Sequence, residues 1–282
     1  MEFCVRSDAC GNDRARLVRF LKGAGETAVC GIPQLPETVG SDGRVSAARL
    51  QEYQAFLRKD GISLRLITES FFNEDLDSDA AVKRRVDEVL AALSAMQAAD
   101  VESLFLFIGA TFASPKERDM RWKRLAAAYE RIVPWAEKTG RRIATHGMQA
   151  PEYLLFSAAD MEKLIAISPR PCNGVTFCVG CFSIAGNDLM EWLDRFGAER
   201  VFMVHMRDVR FPPGGGFEDV RFGEGVIDLP RIAARLTDIG FAGLVCPEHV
   251  PRFPGDPCEE LSTAWALGYL RGLFTRAAAR VG

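Results

Sequence analysis

Short apolar runs alternate along this chain with longer stretches in which apolar residues recur at three and four, and this alternation constrains the fold more than any other feature. A short apolar run bounded by turn residues reads as a buried strand, and the longer pattern reads as a helix covering it, so the chain spells successive βα units. Six strands stand out: Ala28–Ile32, Leu64–Thr68, Leu104–Ile108, Arg142–Thr145, Val201–Val204 and Leu244–Cys246, with Gly174–Phe177 a weaker seventh. The eighth is not placed, and residues 1–24 carry no assigned element. Helical patterns cover Ala47–Asp60, Asp79–Ala99, Ser114–Thr139, Ala158–Ser168, Asp188–Phe196, Leu229–Ile239 and Glu259–Ala279. Ser46, Ser78, Ser157 and Asp188 are the capping types expected at helix starts, and Gly61, Gly140 and Gly240 are stops just ahead of strands. The segment Phe211–Glu224, with Pro212-Pro213-Gly214-Gly215-Gly216, cannot continue a helix and reads as a long loop over the strand ends. The pattern predicts an α/β chain folded as one (β/α)₈ TIM barrel over residues 1–282.

Composition narrows the partners. Hydrophobic residues make up 48% and charged residues 26% of the 282 positions, enough apolar material for one large core. The formal charge of −3 and the absence of a Lys/Arg stripe argue against nucleic acid. No run of about 18 apolar residues suggests a membrane span, and the first residues lack the apolar stretch of a secretion signal, which predicts a cytoplasmic protein. Eight cysteines scattered through such a chain are expected to be reduced thiols.

The chain has three histidines, and each stands just past an apolar run: His146 after RIAT, His205 after VFMV and His249 after LVCPE. In a (β/α)₈ barrel the carboxyl ends of the strands converge on one mouth, so residues distant in sequence become neighbours there. One histidine at a strand end is ordinarily a hydrogen-bonding loop residue; three out of three in equivalent positions point to a shared site. Cys178 after GVTF and Glu248 beside His249 occupy the same kind of position. A thiolate, imidazoles and a carboxylate suit a divalent transition metal such as Mn²⁺, Fe²⁺, Co²⁺ or Zn²⁺, so His146, Cys178, His205 and Glu248 are the candidate ligands. Arg207, two past His205, projects to the same face, where its fork suits a carboxylate; a surface salt bridge is the alternative. Glu69, at the end of LRLIT, is a candidate mouth residue or else a loop acid. Cys178-Val179-Gly180-Cys181 has the spacing of redox pairs, but there is no second pair and no evident helix start after Cys178.

Asn173-Gly-Val-Thr-Phe-Cys178, Asn187-Asp188-Leu189, Val204-His-Met-Arg-Asp-Val209 and Pro247-Glu-His249, in that order and spacing, resemble mannonate dehydratases, members of the xylose-isomerase-like barrels. The resemblance is strongest from Ala158 to Leu273. It implies a Mn²⁺-dependent lyase, with Fe²⁺, Co²⁺ or Zn²⁺ as alternatives, that removes water from a sugar acid to give a 2-keto-3-deoxy acid. Residue by residue it assigns the ligands to His146, Cys178, His205 and Glu248 and the acid/base to His249. The chemistry it implies gives Arg207 the substrate carboxylate, with Glu69 a further contact.

This chain departs from that family in three places. Glu248 stands where the family has Asp, Gly147-Met148-Gln149 follow His146 in place of proline and acidic residues, and Thr263 stands nearest the position of an expected tyrosine. A sugar isomerase or epimerase on the same barrel therefore stays open, as does a binding protein without catalysis. A homodimer is the default assembly.

Overall fold

A computed structural model describes residues 1–280. Eight parallel strands close a barrel: β1 (Glu2–Arg6), β2 (Ala28–Gly31), β3 (Ser63–Phe71), β4 (Ser103–Ile108), β5 (Arg142–His146), β6 (Asn173–Cys178), β7 (Val201–Met206) and, after a small antiparallel hairpin of β8 (Asp208–Arg210) and β9 (Glu218–Val220), β10 (Leu244–Pro247). Consecutive barrel strands are neighbours, and β1 closes the ring between β10 and β2. The seven strands expected from the apolar runs are all present. The unplaced eighth is β1, in the segment left unassigned: it is five residues long and carries Glu2 and Arg6 at its ends, so no uninterrupted apolar run marks it. The loop expected over Phe211–Glu224 is likewise partly ordered, since β9 returns to pair with β8.

The helices are α1 (Arg14–Ala24), α2 (Ala47–Arg58), α3 (Asp79–Ala99), α4 (Pro115–Thr139), α5 (Ala158–Ile167), α6 (Val179–Ile184), α7 (Leu189–Arg200), α8 (Leu229–Asp238) and α9 (Glu260–Ala278). Their starts are built as their sequences require: the side chains of Ser46, Ser78, Ser114 and Ser157 each accept from an amide in the first turn, and Asp188 accepts from Met190 and Glu191. Gly140 ends α4 at φ 67°, the left-handed value glycine tolerates best, and its N–H closes back on Ala136 and Glu137. Two helices escaped the periodicity: α1, and the six-residue α6, which begins directly after Cys178. No helix among the described residues is long and apolar enough to cross a membrane.

Strand alternation divides the core in two. Outward-facing residues such as Val5, Val29, Ile67 and Phe177 pack under the helices, whereas Ala28, Leu66, Phe105, Met203 and Leu244 fill the barrel itself. On the outside, Phe177 of β6 packs against Phe182 of α6 and Trp192 of α7, with the Phe182 and Trp192 rings 4.2 Å apart. Each such buried side chain contributes about 1.5–3 kcal/mol, and this cluster holds the short α6 against the top of β6. Inside, Cys4 and Cys30 point inward from adjacent strands and are joined by a disulfide, contrary to the expectation of reduced thiols throughout; their Cα atoms are 6.0 Å apart, within bridging range. The other six cysteines are free.

Candidate metal centre

The inward parity of the strands runs on to their carboxyl ends and selects the site. On β5, Ala144 and His146 face in; on β6, Thr176 and Cys178; on β7, Met203 and His205; and on β10, Cys246 and then Glu248 just past the strand end. Cys178 is in register with His205, and His205 with Cys246, so these side chains sit on adjoining strands near one level. One donor atom from each of His146, Cys178, His205 and Glu248 lies within 4.8 Å of the others. His205 Nδ1 is 3.0 Å from Glu248 Oε2, and Cys178 Sγ is 3.7 Å from the same oxygen.

These donors are costly to leave alone. Both nitrogens of His146 and both of His205 are buried without a hydrogen-bond partner; the short approach of His205 to Glu248 lacks hydrogen-bond alignment. The rings are held by aromatic neighbours instead, His146 between Phe105 and Phe107 at 5.2 and 5.7 Å and His205 beside Phe105 at 5.3 Å. Burial, reinforced by the neighbouring Cys181, pushes the Cys178 thiol up to about 12. Burial also raises the Glu248 carboxyl, but the adjacent His205 more than reverses this and holds it well below the ordinary range. A divalent cation answers all of these at once: it accepts the orphaned imidazole lone pairs, stabilises a thiolate and neutralises the carboxylate. The donor set therefore fits a divalent metal.

Above this cluster a cavity of about 560 Å³ opens at the mouth, lined by Phe107, His146, Arg207, Asp219, Glu248 and His249 among others. Arg207 is brought to it, as its spacing from His205 predicts, but its fork is already filled: Nε and Nη2 reach Asp219 at 2.5 and 3.1 Å, and Nη1 is 3.7 Å from Cys181 Sγ. Burial works against the Arg207 charge, but the Asp219 hydrogen bonds together with the neighbouring Cys178, Cys181 and Asp219 charges outweigh it and raise the guanidinium above its ordinary value. The Arg207 stem lies over Gly180, where any Cβ would collide with it, so only glycine fits there. His249 is 47% exposed at the rim, its Nδ1 3.7 Å from Asp219 Oδ2 and its Nε2 3.9 Å from Glu248 Oε1. It holds a left-handed backbone (φ 52°), uncommon for a residue with a side chain and frequent at working sites. Desolvation, opposed by Glu248, leaves its pKa below the ordinary histidine value, which favours the neutral ring.

Glu69 is not brought to the mouth. It is on the outward parity of β3, 5% exposed and paired with Arg85 of α3 at 2.5 Å, while Thr68 and Ser70 on either side line the cavity. No tyrosine is among the residues that line it, in keeping with Thr263 at the expected position. Sequence reasoning named Cys181 only for its spacing from Cys178, and it missed Asp219 and the aromatic walls Phe105 and Phe107. The aromatic pair follows from the same parity rule applied to β4, whereas Asp219 depends on a hairpin that no apolar run announces.

The model of the xylose isomerase-like TIM barrel family matches residues 29–270. The chain belongs to that family. Among curated proteins it is similar to mannonate dehydratase of Enterococcus faecalis, at 26% identity over 186 residues covering 60% of this chain and 51% of that protein. It is also similar to mannonate dehydratase 1 of Bacillus licheniformis, at 28% over 170 residues covering 57% and 44%. The chain thus spans about half the length of the curated relatives it matches. Among solved structures, mannonate dehydratase from Streptococcus suis serotype 2 shares the fold with a TM-score of 0.82 and 16% identity, over 100% of this chain and 95% of that one. An IOLI protein with a bound zinc atom (TM-score 0.75, 17% identity, 99% of each chain) and a D-tagatose 3-epimerase-like protein (0.76, 15%, 98% and 99%) share it too. At these identities the structural likeness extends to the barrel fold alone.

Proposed function

We propose that this chain is a metal-dependent hydro-lyase that converts an aldonate into a 2-keto-3-deoxy acid and water, as the mannonate dehydratases it resembles do by name. The observation that carries the reading is the thiol among the converging donors: Cys178 joins His146, His205 and Glu248 within 4.8 Å. Isomerase and epimerase sites on such barrels are built from carboxylates and histidines, so Cys178 favours the dehydratase.

His146, Cys178, His205 and Glu248 would hold the ion, which supplies Lewis acidity at the oxygens next to the reacting carbon when bound. The remaining chemistry falls to the chain. A proton next to a carboxylate is weakly acidic, so its removal needs a base and a cation to hold the charge that develops. Arg207, once Asp219 turns away from its fork, holds the substrate carboxylate and that charge. His249, neutral and at the rim, takes the C2 proton and returns it to the departing C3 hydroxyl, which leaves as water; the enol then becomes the 2-keto-3-deoxy acid. A single imidazole that takes up one proton and gives it back suffices for this, which accommodates the absence of a partner tyrosine. The aromatic walls Phe105 and Phe107 limit water around the reacting carbons.

A second reading, an epimerase acting on an uncharged sugar, is favoured by one observation: the Arg207 fork is neutralised by Asp219. Incubating metal-loaded protein with a panel of aldonates, and separately with ketoses, tests both. Formation of 2-keto-3-deoxy acids supports the dehydratase; turnover of ketoses alone replaces it with the epimerase.

A further inference from the structure

The two groups paired at the mouth, Arg207 and Asp219, are unequal. Arg207 is held from three sides, its stem on Gly180, its Nη1 toward Cys181 and the Phe217 ring 5.4 Å from the guanidinium carbon, and its side chain is only 5% exposed. Asp219 is 28% exposed and stands on β9, whose partner strand β8 is anchored by Asp208. The Asp208 carboxylate accepts from the amides of Val209, Gly223, Gly225 and Ile227 at 2.9–3.3 Å, closing the base of the hairpin. The hairpin backbone is therefore fixed while the Asp219 side chain has solvent to turn into. Its two oxygens meet Nε and Nη2 of Arg207, the edge a substrate carboxylate would use for a two-point contact. A short acid on a fixed hairpin thus occupies the anion position of the cavity from within the chain.

We propose that Asp219 is a specificity-determining residue, an internal carboxylate that competes with carboxylate-bearing substrates for Arg207 and so sets how strongly the cavity prefers an acid over an uncharged sugar of the same length. This deepens the sugar-acid reading and rests on it only for the identity of the competing ligand. An acid enters by turning Asp219 toward water and taking its place on the fork; an uncharged polyol leaves the pair intact. Removing the Asp219 charge leaves a buried guanidinium without its counterion, and an incoming carboxylate is then the only group that restores the pairing. The same carboxylate lies 3.7 Å from His249 Nδ1, so its displacement also withdraws an anion from that ring.

The test measures binding of gluconate, of glucitol as its uncharged counterpart and of acetate as a bare carboxylate to metal-loaded wild type, Asp219→Asn and Asp219→Asn/Arg207→Gln. Thermal unfolding checks each fold, and Asp219→Ala is a second variant should the first misfold. Asp219→Asn is expected to bind gluconate and acetate at least about tenfold more tightly than wild type, with glucitol unchanged and the gain abolished when Arg207 is also replaced. Equal tightening of gluconate and glucitol, no tightening of either carboxylate, or a gain that survives loss of Arg207 would overturn the proposal. Tighter acetate binding with no gluconate binding by any variant would support Asp219 as the occupant of the fork and remove the sugar-acid reading.

Discussion

The strand ends on one side of the mouth and the β8–β9 hairpin on the other hold their polar groups in opposite ways. On β5, β6, β7 and the end of β10, four donors converge with their imidazole nitrogens unsatisfied, an arrangement that fits a divalent cation. On the two strands of the hairpin the charged side chains are paired: Asp219 by Arg207, Asp208 by four amides and Arg210 by Glu218. The difference teaches which part is a receptor and which is a frame. A rigid barrel can keep groups unsatisfied because the sheet behind them prevents escape, whereas a two-stranded hairpin is stable only if its own polar groups are paired.

The contrast is broken most severely on the strand side. Second-sphere changes around bound metals typically cost about 10–100-fold in affinity, so removing a ligand outright, as in Cys178→Ser or His205→Ala, should weaken divalent-metal binding by more than about 100-fold, read by equilibrium dialysis with elemental analysis. Near-normal affinity in both variants would mean that the convergence does not serve a metal. Next in size is Gly180→Ala, whose new methyl collides with the Arg207 stem. Overpacking of this kind costs about 1–3 kcal/mol; thermal melts should show it, and KM for the acid should rise while metal stoichiometry holds at its wild-type value. A fall in stoichiometry would mean that the two sides are not separable.

Similar in energy but confined to the hairpin, and so smaller in its effect on the whole protein, is Asp208→Asn, which weakens the charge-assisted bonds closing the hairpin by about 1.5–3 kcal/mol. The loss should be local, seen as faster proteolysis between Phe211 and Phe217 with the barrel transition little changed. The smallest effect is expected from Glu69→Gln. Arg85 keeps Glu88 at 2.9 Å and a bond to the Ser70 carbonyl, so stability falls by about 1 kcal/mol and kcat/KM is unaltered. A marked fall in kcat/KM with stability intact would return Glu69 to the mouth.

The two sides also differ in how much of them could be read from the amino-acid order. His146, Cys178, His205 and Glu248 were legible because each ends or follows an apolar run, and the strand period of two sends them all inward. At Glu69 that period is interrupted: LRLIT marks the strand, but the register of β3 against β2 shifts between Leu64 and Leu66, so the inward residues beyond it are Thr68 and Ser70 and Glu69 faces out. β1 was illegible because Glu2 and Arg6 flank a core of three residues, and with it went the pairing of Cys4 to Cys30, which needs both strands in register. Asp219 was illegible for a different reason. It meets Arg207 across a turn of prolines and glycines, and such a turn fixes partners through its three-dimensional path rather than through periodicity.

One cation is expected between the Cys178 thiolate, two imidazoles and the Glu248 carboxylate at this mouth. X-ray absorption at the metal edge of zinc-loaded protein tests it most directly. One equivalent of metal is expected, with a single sulfur neighbour at about 2.3 Å and nitrogen or oxygen neighbours at about 2.0–2.2 Å, the sulfur vanishing in Cys178→Ser. A bound ion with no sulfur neighbour, or a sulfur signal that survives Cys178→Ser, would contradict it.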